Sequence, residues 1–125
     1  MNKEELQERS LSFAVAVRPF GQRVASVPDL KKTAQQLIDC SASVAANYRA
    51  ACRARSRAEF ISKLGTVVEE ADEAVYWLEY LARTGMAFPG HPELLDEAKQ
   101  LRAIFAASLG TARANHAKRQ RQITK

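Results

Sequence analysis

Four arginines fall within nine residues of this chain: Arg49, Arg53, Arg55 and Arg57. Three of them are spaced by four, so on one continuous helix they would form a basic ridge. No acid lies among them. A guanidinium is planar and presents a fork of donors, which grips phosphate oxygens in pairs as an ammonium cannot. The pattern therefore suits a polyanion. A structural use is also open: cations late in a helix complement its dipole, or pair with Glu59 and the acids that follow it.

Those acids are Glu69, Glu70, Asp72, Glu73 and Glu79. Carboxylates on bundle helices hold metals when Glu-x-x-His motifs accompany them. Here His91 and His116 lie elsewhere, so no metal site is expected. The acids read instead as a solvated face, or as partners for arginines of a neighbouring subunit. Both histidines are expected at the surface. Tyr76, Trp77 and Tyr80 could stack bases, but their helical spacing suits packing or an interface. Cys40 and Cys52 lie about 18 Å apart if they share a helix, too far to bridge. They read as small packing residues, and free thiols point to a reducing cytoplasm. With no nucleophile–base pattern and no glycine-rich phosphate loop, the chain is expected to be non-enzymatic, with no catalytic residue and no cofactor.

Locating the charge sharpens the picture. The net charge is +5, and residues 113–125 hold Arg113, Lys118, Arg119, Arg121 and Lys125 with no acid. Residues 1–112 therefore balance, and the excess is a basic C-terminal tail, with Lys118, Arg119 and Arg121 as a second candidate nucleic-acid contact. The organisation expected is a four-helix bundle over 1–112 and a frayed or disordered tail over 113–125. At 125 residues and 46% apolar composition the chain can bury one core. Met1 begins a polar segment without a signal-peptide pattern, and Phe13 to Val17 is far too short to cross a membrane. A cytoplasmic protein with no membrane partner is expected.

The elements that must position these residues are helices. Five glycines and four prolines leave long uninterrupted stretches. Leu6, Phe13, Val17, Phe20 and Val24 mark a first helix over residues 4–26, which Pro19 should kink. A second runs from about Asp29 to Ala54 on the stripe Leu30, Leu37, Ser41, Val44, Tyr48 and Ala51. Its small middle residues, Ser41 to Ala46, suggest a tight helix crossing. Ser56 followed by Glu59 is a capping box. The third helix it opens runs to about Thr84, with Gly85 placed at C′. It carries Phe60, Leu64, Val67, Ala71, Ala74, Leu78 and Leu81. A second row, Ile61, Val68, Val75 and Ala82, widens its apolar arc and argues for self-association. Pro92 suits the first turn of a fourth helix with Leu94, Ala98, Leu101, Phe105, Leu109 and Ala112. The fold class is all-α, an antiparallel up-down four-helix bundle.

Residues 36–81 carry a more specific signal. The segments SVAANYRAACRARS at 43–56, AEFISKLG at 58–65, EEADE at 69–73 and WLE at 77–79 resemble the four-helix bundle protein family. That family is also called the S23 or ribosomal intervening-sequence protein family. The flanking helices extend the resemblance to roughly residues 5–112. Asp39 and Cys40 depart from it, standing where related sequences carry an arginine and a small residue. The resemblance implies a compact bundle assembling into a homopentameric ring, with no enzymatic activity. Some members are encoded within intervening sequences of large-subunit ribosomal RNA genes. A related branch binds RNA and a reverse transcriptase. The two basic clusters point to RNA or DNA as a partner; the alternative is a protein-interaction scaffold with no nucleic-acid role, in which the arginines pair with acids of the third helix between subunits.

Overall fold

The computed structural model of the chain describes residues 1–124. Its elements are α1 (Lys3–Ala25), a 3-10 turn (Pro28–Leu30), α2 (Lys31–Cys52), α3 (Arg57–Arg83) and α4 (His91–Ile123). Among the described residues there is no strand.

Each helix starts and stops for a local reason. The Asn2 side chain accepts the Glu5 amide at 2.8 Å, capping α1. Pro28 opens the 3-10 turn, and α2 ends at Arg53, whose backbone leaves helical geometry. Ser56 Oγ accepts the Glu59 amide at 3.1 Å. The return half of the capping box goes to Arg55, whose amide donates to the Glu59 carboxylate at 3.4 Å. Gly85 stops α3 with φ +80, and Gly90 opens α4 with φ +83. Both sit in the left-handed region that a side chain disfavours. Pro19 leaves α1 unbroken. It is exposed, so the carbonyl deprived of its donor can turn to water.

Three large interfaces order the bundle as α1 on α2, α2 on α3 and α3 on α4, while α1 and α4 close the ring more sparsely. The predicted apolar stripes are its core. Phe20, Leu37, Val44, Leu64, Val67, Leu78, Leu101 and Phe105 are all essentially inaccessible. The α1–α4 seam is held by Arg9, whose guanidinium donates to both Glu97 oxygens, at 2.6 and 2.8 Å, and to Gln100 at 2.8 Å. At the other end of that seam Phe20 packs edge-on against Phe88 and His91. The start of α1 lies beside residues 104–115 of α4, and the end of α1 near the start of α4. Adjacent helices run antiparallel.

Four details differ from the sequence reading. His91 is buried, not at the surface, and its Nε2 donates to the Leu78 carbonyl at 2.7 Å. A buried imidazole needs that partner. The second apolar row of α3 is not left free: Val75 is buried, Ile61 and Val68 pack against the core, and only Ala82 is exposed. The tight α1–α2 approach centres on Gly21, where an added Cβ would lie 2.6 Å from Ile38. Ala42 and Ala46 instead face solvent. Finally, the segment expected to fray after residue 112 is helical to Ile123. No glycine or proline follows Gly110, and Ala, Lys, Arg and Gln are strong helix formers. Lys125 lies outside the described residues.

Candidate nucleic-acid interface

The bundle's antiparallel order brings the end of α2, the start of α3, the start of α1 and the distal half of α4 to one end. The arginine cluster occupies that end. Because α2 stops at Cys52, the four arginines do not form one ridge. Arg49 and Arg53 turn toward α1 and line a groove with Leu11, Val15 and Arg18. Arg55 and Arg57 line a separate cleft bounded by α4. All four are exposed.

What these cations are bonded to bears on their role. Among the described residues the ion pairs are Arg9–Glu97 and Arg102–Asp72, at 2.6 and 2.8 Å. The second joins α4 to α3 and is largely exposed, which makes it worth under about 1 kcal/mol. Neither involves the cluster. The dipole of α2 favours Arg49 and Arg53 at its C-terminal end. Arg57 has no such account, because it opens α3 and faces the positive end of that helix. Glu59 is engaged by backbone amides. The structural explanation of the cluster therefore covers half of it.

The acids of α3 lie away from the arginine turn. Asp72 takes Arg102, and Glu73 accepts Trp77 Nε1 at 3.3 Å. Burial, then Glu73 and Glu69, pushes the Glu70 carboxyl above its usual range. Tyr76 and Tyr80 are 55% and 44% exposed, and with Trp77 they form an outward aromatic cluster with ring centroids 4.9 to 6.4 Å apart. This cluster is separate from the arginine turn, since α3 runs away from it.

The last turns of α4 project from the same end as the arginines. Thr111 and Asn115 still line the cleft beside Arg55 and Arg57, and residues 117–124 are exposed throughout. At about 100° per residue, Lys118, Arg119 and Arg121 point to different sides of this rod. They surround it with charge and make no stripe. Lys3 joins this end, its ammonium 5.7 Å from the Phe60 ring centre. Sequence reading missed Lys3, because it stands in no motif and only the fold brings it beside Arg55 and Arg57.

The two thiols separate cleanly. Cys40 is buried on α2, and burial, then Glu73 and Glu70, pushes its thiol up to about 12. Cys52 is partly exposed at the cleft. Thiolate is the reactive form, so alkylation of the native protein at pH 8 should add one group per chain, at Cys52. Mass spectrometry of the digested product checks this. Burial, then Cys52, raises the Tyr48 phenol well above its ordinary range.

No family model and no curated protein matches the chain. Among solved structures it is similar to a protein of unknown function from the S23 ribosomal protein family of Bacteroides thetaiotaomicron, determined at 1.70 Å. The identity is 27% and the TM-score 0.79, over 88% of this chain and 99% of that one. The likeness covers most of both chains, and this chain carries the fold of the S23 ribosomal protein family.

Proposed function

We propose that this chain is a non-enzymatic, cytoplasmic, oligomeric bundle that binds RNA or another nucleic acid through backbone phosphates. The observation that carries this reading is the location of its free cations. Arg49, Arg53, Arg55 and Arg57 make no ion pair among the described residues, and the helical extension bearing Lys118, Arg119 and Arg121 leaves from the same end. Such a surface reads charge and shape and not base sequence, since nothing in it is arranged to meet base edges. Oligomerisation multiplies it, and the family resemblance suggests a homopentameric ring. Support for self-association comes from α1, where Leu11 and Val15 are 51% and 63% exposed beside Ala42, Ala45 and Ala46 of α2. Apolar surface of that kind marks an interface.

The second reading is a protein-interaction scaffold, favoured by that apolar groove and by the exposed aromatic cluster of α3. Deleting residues 113–125 separates the two. Nucleic-acid binding should weaken about tenfold or more at physiological salt, with oligomer mass unchanged, because up to five phosphate-neutralising charges per chain are lost. Unchanged oligonucleotide affinity would favour the scaffold. Fluorescence anisotropy and light scattering on one sample measure both.

A further inference from the structure

The end of the bundle that bears the arginine turn also contains a cleft of about 740 Å³. That volume is in the range of small-molecule sites. Its floor is apolar: Leu6 belongs to the core, and Phe60 and Ile104 are partly buried against it. Its mouth carries Lys3, Arg55 and Arg57. The chain has 14 acids, yet among the described residues no carboxylate lines this cleft. The groove between α1 and α2 differs on this point, because Glu4 and Glu8 line it beside its cations.

Ser56, Ser108, Thr111 and Asn115 add neutral polar groups, so an apolar floor beneath cations with no lining carboxylate selects one ligand chemistry. A neutral apolar molecule would leave the cations without a partner, and a free anion would leave the floor wet. We propose that the cleft binds a monomeric amphipathic anion, an apolar chain or ring ending in phosphate, carboxylate or sulfonate. The apolar body would lie along Leu6, Phe60 and Ile104. The head group would take charge-assisted hydrogen bonds from Arg55 and Arg57, with the Lys3 ammonium beside it over the Phe60 ring. This does not rest on the nucleic-acid reading, although both use Arg55 and Arg57.

Dodecyl phosphate, kept below its micelle concentration, is the probe, and titration calorimetry the measurement. The full-length protein should bind it with micromolar affinity. Dodecyl maltoside and inorganic phosphate, each lacking half of the chemistry, should bind at least tenfold more weakly. Ala107→Trp fills the cleft from an exposed position on α4 and should weaken dodecyl phosphate at least tenfold while leaving every cation in place. Arg55→Ala with Arg57→Ala, both at exposed positions, should do the same. Lys32→Ala, an exposed cation on α2 outside both grooves, should bind as the unaltered chain does. The proposal is overturned if Ala107→Trp retains full affinity, if Lys32→Ala abolishes binding, if inorganic phosphate binds equally well, or if dodecyl phosphate does not bind.

Discussion

Arg53→Ala combined with Arg57→Ala should weaken oligonucleotide binding on the order of tenfold or more at physiological salt, and should lower the log–log salt slope by roughly two units. Both residues are exposed and outside the ion pairs of the bundle, so circular dichroism and melting temperature should stay close to those of the unaltered chain. The slope is the more diagnostic readout. An arginine that merely shapes the turn would change affinity without changing the number of counterions released. The pair also spans both halves of the split cluster. Arg53 borders the α1–α2 groove and Arg57 the cleft, so a loss of about one slope unit would assign the contact to one side only. Anisotropy titrations at several salt concentrations decide between these results.

Phe105→Ala should be among the most destabilising single substitutions, costing about 3–5 kcal/mol. Phe105 is fully buried, and its ring lies 5.0 Å from that of Tyr48. It fills the space where α4 meets α2 across the core. Against a total stability of about 5–15 kcal/mol, that loss leaves a marginal protein. Urea denaturation followed by far-ultraviolet circular dichroism should show the midpoint fall by about 2 M, given a slope of about 1–3 kcal/mol per M. A fall below about 0.5 M would mean that the α2–α4 packing described here is wrong.

The elements were legible because their signals are local or periodic. Ser56 capped α3 where its spacing to Glu59 indicated, and Gly85 ended that helix with positive φ. The stripes Leu6–Val24 and Leu64–Leu81 lie inside because burial of one face is what a helix of that pattern requires. The misses were relations between elements. His91 had no periodic signature; its burial follows from the Phe20 ring and the Leu78 carbonyl, which only the packed fold brings to it. The second row of α3 looked free because nothing in its spacing reveals that the bundle's own core takes up Ile61, Val68 and Val75. Exposed Leu11 and Val15 sat in no stripe and drew no attention for the same reason. The α4 extension was read from its charge as a tail, whereas it is helical to Ile123, as the absence of glycine and proline favours. At the candidate site, the sequence named the four arginines and placed a helix start at Ser56, which is where the structure divides them. Which pair faces which groove, and the joining of Lys3 to them, are consequences of the bundle's closure.

Fluorescence anisotropy of labelled RNA and DNA oligonucleotides across a salt titration, with oligomer mass determined on the same sample, tests the central claim most directly. The account predicts binding at micromolar or tighter affinity near physiological salt, little preference for base sequence, and a steep decline as salt rises. An intact oligomer that binds neither nucleic acid at low salt would contradict it.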